Sequence, residues 1–100
     1  MKHRLTVSHD ETVISRLRRD RQFEIEYLKA ALEDDDEPGV LLIALRHVAQ
    51  ARGVGKIAKA AGIGQESLYR ALSARGNPRL STLAAVMKAI GLRLTVEAAR

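Results

Sequence analysis

Ala58, Gly62 and Leu68 stand four and six residues apart in "IAKAAGIGQESLYRAL", with Ile57, Ile63 and Leu72 as apolar neighbours, and no other feature narrows the folds open to this chain so far. A small residue at 58 lets two helices approach closely. Gly62 can take the left-handed conformation that ends the first helix, and Leu68 facing inward fixes a steep crossing angle. The spacing predicts a helix over about 55–61, a corner, and a helix over about 65–74. That is the helix-turn-helix arrangement, although a plain helical hairpin can share the spacing. In a helix-turn-helix the second helix enters the major groove with its amino-terminal residues at the base edges, and its unpaired N–H groups favour phosphate.

With Leu68, Ala71 and Leu72 inward, the outward row of the second helix is Gln65, Glu66, Tyr69 and Arg70. Gln can pair bidentately with adenine, Arg with guanine, and Glu can accept from a cytosine amino group. A carboxylate close to phosphate is unfavourable unless it meets a cytosine or an arginine, so Glu66 is the awkward member. Arg52, Lys56, Lys59, Arg75 and Arg79, with Ser67, Ser73 and Asn77, flank the corner where phosphate contacts would fix register without reading sequence. For each of them a solvated surface position is the plain alternative.

Charge supports a polyanionic partner. Residues 1–37 hold seven Lys/Arg against ten Asp/Glu, a net −3, whereas residues 38–100 hold ten against two, a net +8. The basic part contains the corner, and a segment that positive attracts nucleic acid through its field and through counterion release. With only Phe23, Tyr27 and Tyr69 as aromatic residues, a platform for stacking single-stranded bases is a poor fit and duplex DNA a better one. Absence of cysteine removes disulfides and thiolate metal sites, and no apolar run approaches the roughly 18 residues that span a bilayer. The first residues lack the apolar stretch of a signal peptide, which places the chain in the cytoplasm. Ser8-His9-Asp10 has the letters of a catalytic triad, but consecutive residues cannot orient one another as nucleophile, base and support. His3, His9 and His47 lack paired metal-ligand spacing, and Asp34, Asp35 and Asp36 read as a solvated loop. Neither an enzyme nor a metal or cofactor is indicated.

The remaining helices follow from periodicity and caps. Ser8 and Glu11 form a capping box that predicts a helix start, with Val13, Ile14 and Leu17 on one side and Arg16, Arg18, Arg19 and Arg21 in solvent. Asp20 marks a break before a helix over about 22–33, in which Phe23, Tyr27, Ala30 and Ala31, with Leu28 and Leu32, read as core. "EDDDEPG" is the linker, and Asp36 can cap a helix over about 37–51 with Pro38 in its first turn. Leu41, Leu42, Leu45, Val48 and Ala49 make that helix central, and Gly53 ends it. "RGNPR" is a turn, Ser81 is an N-cap, and Leu83, Val86, Met87 and Ile90 form the buried face of a last helix that stops at Gly91.

Each end repeats one tetrapeptide, Arg4-Leu5-Thr6-Val7 and Arg93-Leu94-Thr95-Val96. Both alternate polar with apolar, so both read as short strands, and a strand needs a partner. The ends can pair with each other, or each with its copy across a two-fold axis, making a dimer. Chance recurrence in frayed ends is the other reading. The expected fold is therefore all-α: a five- to six-helix bundle containing a helix-turn-helix, with a short C-terminal strand for dimer pairing and a candidate strand at the N terminus. Residues 1–37 form an acidic arm and helices packing on the core, and residues 38–97 the helix-turn-helix domain with its strand.

Residues 54–91 resemble the Cro/C1-type (Xre-like) helix-turn-helix domain of phage repressors, in which "GIGQ" sits where the recognition helix often starts with Gln. More narrowly, "ESLYRALSARGNPRLSTLAAVMKAIGLRLTVE" with "EYLKAALEDDDEPGVLLIALRHVAQARG" resembles the HigA-type addiction-module antidote proteins, over about residues 10–97. The run "SLYRALS..GNP" is its most specific part. The resemblance implies an antitoxin that dimerises, binds operator DNA, represses its own operon and neutralises a small basic RelE/HigB-like toxin that cleaves messenger RNA. Gln65, Glu66 and Arg70 fall where such domains contact bases. Val54 and Gly55 stand where a phosphate-contacting Gln is common, and Gly64 replaces the usual Ser, Thr or Asn cap. Two other functions fit the same residues: a toxin-binding module with little DNA affinity, for which the acidic segment 24–37 is a natural surface, and a stand-alone phage-like repressor.

Overall fold

Six helices follow one another: α1 (Lys2–Arg19), α2 (Arg21–Leu32), α3 (Pro38–Arg52), α4 (Val54–Ala61), α5 (Gln65–Ala71) and α6 (Leu80–Ile90). The computed structural model describes the backbone of residues 2–33 and 36–99 and the side chains of 10–33 and 36–99. Among the described residues there is no strand, so the fold is all-α.

α3 is the centre because apolar residues occupy most of its circumference. Leu42, Ala44, Leu45, Val48, Ala49 and Ala51 are all buried, and α1, α2 and α4 pack around it. α1 contributes Leu17, and α2 contributes Leu28 and Ala31. On the other side α6 covers α4 through Val86, Met87 and Ile90. One hydrophobic cluster thus runs from the first helix to the last. Across the first three helices, the Tyr27 hydroxyl lies 2.6 Å from His47 Nδ1, and His47 Nε2 lies 3.8 Å from an Asp10 carboxylate oxygen. Burial, and then the Asp10 charge, raise the Tyr27 phenol above its ordinary range, so it stays neutral at pH 7.

Several expectations are corrected. Arg4-Leu5-Thr6-Val7 is helical, and α1 runs through Ser8 instead of starting there. Four alternating residues satisfy their backbone inside a helix without a partner, whereas a strand requires one. The side chains of the Ser8–Glu11 box before Asp10, like His3 and His9, lie outside the described residues, as do Asp34 and Asp35. Residues 92–99 hold no strand either, because with 4–7 helical a single chain offers Arg93, Leu94, Thr95 and Val96 no edge to join. Asp20 is more than a break: it is the N-cap of α2, accepting from the Phe23 N–H at 3.0 Å. Asp36 and Ser81 do not cap. α3 starts after Glu37 and α6 after Arg79, neither with a side-chain cap bond. In α2, Ala30 and Leu32 are exposed, and the buried stripe is Glu24, Leu28 and Ala31.

The arginines of α1 and α2 also do more than stay in solvent. Arg16 lies over the Phe23 ring, 4.1 Å from its centre, and Arg18 Nε donates to the Ala51 carbonyl at 3.1 Å. Arg21 donates to Glu24 and to the Ile90 carbonyl at 2.9 Å, closing the end of α6. Arg52 grips the same carboxylate bidentately, Nε to Oε2 and Nη2 to Oε1, both at 2.8 Å. Glu24 is 1% exposed, so α2, α3 and α6 meet at a buried charge compensated by two arginines.

Candidate nucleic-acid interface

The turn Gly62-Ile63-Gly64 sets how α5 leaves α4. Gly62 has φ 73°, in the left-handed region that a side chain disfavours. Its N–H donates to the Lys59 carbonyl at 3.2 Å and that of Ile63 to the Ala58 carbonyl at 3.0 Å, the paired bonds of a Schellman ending. Ala58 is 2% and Leu68 1% exposed, so both anchors are inside as their spacing predicted. Gly64 precedes α5 without a side-chain cap bond.

α5 has only seven residues and ends at Ala71, three short of the expected 74. The Ser73 hydroxyl donates to the Arg70 carbonyl at 2.9 Å, and the Gly76 N–H to the Ser73 carbonyl at 2.9 Å. The chain then passes so close over the end of α5 that a Cβ on Gly76 would run into the Ala71 carbonyl oxygen. On its far side the loop rests on α3, where a Cβ on Gly39 would sit 2.5 Å from the Ala74 carbonyl oxygen. Two glycines thereby fold the segment 72–79 back beside α5.

That fold brings six of the sequence-predicted residues to one open groove of about 750 Å³: Ser67, Arg70, Ser73, Arg75, Asn77 and Arg79. Arg70, Arg75 and Arg79 give it three cations, and all three are exposed. The other predicted residues are placed differently. Gln65 and Glu66 are exposed on the first turn of α5, with the Gln65 amide laid against Gly55, where a Cβ would meet its Nε2 at 2.9 Å. Tyr69 is half-buried, its ring beneath the Arg46 guanidinium 4.9 Å from the ring centre. Lys59 is exposed on α4, and Lys56 lines a separate cavity beside α1. Arg52 is turned onto Glu24, and its guanidinium is held more firmly protonated by that hydrogen bond.

Arg46 and Glu24 were not among the sequence candidates. For Glu24 a signal existed: 24, 28 and 31 share one helical face, so a carboxylate in line with Leu28 and Ala31 marked a buried charge in need of a cation. For Arg46 none did, since its partner lies on another helix.

A second surface lies beside the start of α3 and reaches Ala74 of the loop 72–79. Ala30, Ala31, Val40, Ile43 and Ala44 line an apolar groove of about 830 Å³ with Asp36 and Glu37 at its rim. Burial of Glu24 removes it from the acidic surface, leaving Glu26, Glu33, Asp36 and Glu37 exposed. Among the described residues no His, Cys, Asp or Glu group is placed to hold a metal ion, and no helix is long and apolar enough to cross a membrane.

Comparison with known proteins adds three findings. Residues 10–98 match a family model described as "Probable addiction module antidote protein". A Haemophilus influenzae protein described only as "Uncharacterized protein" is 43% identical over 74 residues, covering 74% of this chain and 75% of that one. No solved structure matches the chain.

Proposed function

The chain belongs to the family of probable addiction module antidote proteins, and from that premise we propose that it is an antitoxin that also binds DNA through α4 and α5. In this reading α4, the glycine turn and α5 are a helix-turn-helix of the Cro/C1 (Xre-like, HigA-type) kind. The protein represses its own operon as a dimer and neutralises a RelE/HigB-like toxin that cleaves messenger RNA.

The observation that carries the DNA-binding reading is the groove beside α5, lined by three arginines, three hydroxyl residues and Asn77. Arg70 is its base reader. Gln65 and Glu66 are placed at the amino end of α5 for base edges, while Tyr69, clamped by Arg46, stiffens the helix. Lys59, Arg75 and Arg79 contact phosphate, with Ser67, Ser73 and Asn77, and Arg52 instead serves the fold. Arg70→Ala is expected to weaken binding to the protein's own promoter by about 1–3 kcal/mol and relax one base position. Unchanged promoter affinity in a gel-shift titration removes Arg70 from base reading. A footprint of two symmetric half-sites reports the dimer, and one half-site alone rejects it.

Toxin binding is assigned to the acidic end of α2 and the loop before α3. Changing Asp34, Asp35 and Asp36 to Asn is expected to slow association with the toxin and flatten its salt dependence. If on-rate and salt dependence stay as they were, the toxin docks elsewhere. The exposed Glu66 favours a second reading, a toxin binder with little DNA affinity. Failure of the unaltered protein to shift its own promoter, with toxin neutralisation intact, selects it.

A further inference from the structure

Among the described residues five large apolar side chains are exposed: Leu32, Val40, Leu80, Leu94 and Val96. Scattered singly, such residues need no explanation. Three of them fall into two groups. Val40 lines the apolar groove beside the start of α3, with Ala30, Ile43 and Ala44, and Leu94 and Val96 stand two residues apart on the segment that follows α6. Leu92 is the last residue of that segment held by the fold: its N–H donates to the Met87 carbonyl at 2.8 Å and its side chain packs against the core. Among the described residues no hydrogen bond or ion pair holds 93–99, and Val96 is 95% exposed.

The two surfaces complement each other in chemistry but do not meet within one chain. The groove, about 830 Å³, is walled by small apolar residues and has Asp36 and Glu37 at its rim. The segment offers Leu94 and Val96 at the spacing that puts side chains on one face of an extended chain, with Arg93, an exposed cation, beside them. Opposite charge at the rim and on the segment favours their encounter. In its own chain the segment leaves α6 beside Arg21, at the start of α2, whereas the groove lies at the other end of that helix, and none of 92–99 lines it. A chain that carries both halves of a contact it does not make with itself can make that contact twice with a second copy, across a two-fold axis.

We propose that two copies of this chain pair by exchange, with Leu94 and Val96 of each seated in the apolar groove beside α3 of the other and Arg93 against Asp36 and Glu37. The proposal rests on the dimer of the proposed function and gives it an interface. A groove accepts side chains and asks for no sheet edge, so the exchange does not need the strand that 93–96 lacks. Toxin and second copy share the carboxylates at the rim, but only the second copy fills the apolar floor.

The test is sedimentation of the full chain over a range of concentrations, without toxin or DNA. Leu94→Asp with Val96→Asp alters the segment, Ala30→Lys with Val40→Lys alters the groove, and Leu80→Asp, the exposed leucine on neither surface, is the control. All five positions are exposed, so helix content by circular dichroism should match the parent. Each pair is expected to raise the dimer Kd about a hundredfold or more, since it forfeits apolar burial at both contacts, and the control leaves it in place. Mixing the segment variant with the groove variant is the decisive arm: the intact segment of one can still enter the intact groove of the other, so the mixture should dimerise with a Kd between those of parent and variants. A dimer that persists in either pair, a control that loses it equally, or a mixture that recovers nothing overturns the exchange while the dimer stands. A parent that is monomeric throughout overturns the dimer and the exchange together.

Discussion

Arg52→Ala is expected to destabilise the fold by about 3 kcal/mol, the lower end of what removing one partner of a buried ion pair costs. Glu24 is 1% exposed, and Arg52 supplies a donor to each of its oxygens. Without Arg52 the carboxylate keeps Arg21 alone, and Oε2 faces the interior unpaired. Arg21 remains within reach, which is why the loss sits at the lower end of the range. For a chain of this size it corresponds to a fall in Tm of roughly 12–24 °C. Arg52→Lys should fall between, because an ammonium cannot grip both oxygens in the plane of the carboxylate. Replacing both partners, Glu24→Leu with Arg52→Met, should recover much of the loss, since the penalty comes from an unpaired charge and not from the missing attraction. A drop of less than about 3 °C in Arg52→Ala, read by thermal melting, or a double variant as unstable as the single, would falsify this account.

The same pair marks the line between what the sequence disclosed and what it withheld. The corner was legible because its determinants are neighbours: Ala58, Gly62 and Leu68 each act within one or two helical turns. The stops at Gly62 and Gly91 were legible too, since both take left-handed φ values. Starts were less legible. Asp36 and Ser81 are good caps in isolation, but a cap contributes about 1 kcal/mol, and packing outweighed it. α3 begins where Gly39 can lie against the Ala74 carbonyl, and α6 begins at Leu80, one residue before Ser81. At the N terminus the four-residue alternation of Arg4–Val7 was too short to distinguish a strand from a helix, and α1 absorbed it. In the candidate site, the groove could be foreseen residue by residue but not as a groove, because it depends on two glycines that bring backbone against backbone. Contacts between helices, Arg46 on Tyr69 and Arg18 on Ala51, had no local signature at all.

Leu68→Ala is the second large effect, about 2–5 kcal/mol, and its consequence differs in kind. Seven residues are too few for a helix to hold itself together in water, because the cost of its first turn is not recovered. α5 therefore depends on what it buries, and Leu68 is its one fully buried side chain. Leu72, also buried, follows it at the C-cap. Truncation leaves a cavity under the turn and detaches the element that bears Gln65, Glu66 and Arg70. The expected signature is local as well as global: amides of residues 68–72 should lose hydrogen-exchange protection to a lower free energy than those of α3, which keeps its own buried residues. On the proposed DNA-binding reading, affinity should fall for every sequence, since α5 must be re-formed before its residues can contact DNA. Arg70→Ala, at an exposed position, should leave the melt unchanged and weaken only the cognate promoter. If Leu68→Ala lowers Tm while residues 68–72 keep protection equal to that of α3, α5 is held by something other than its buried leucine.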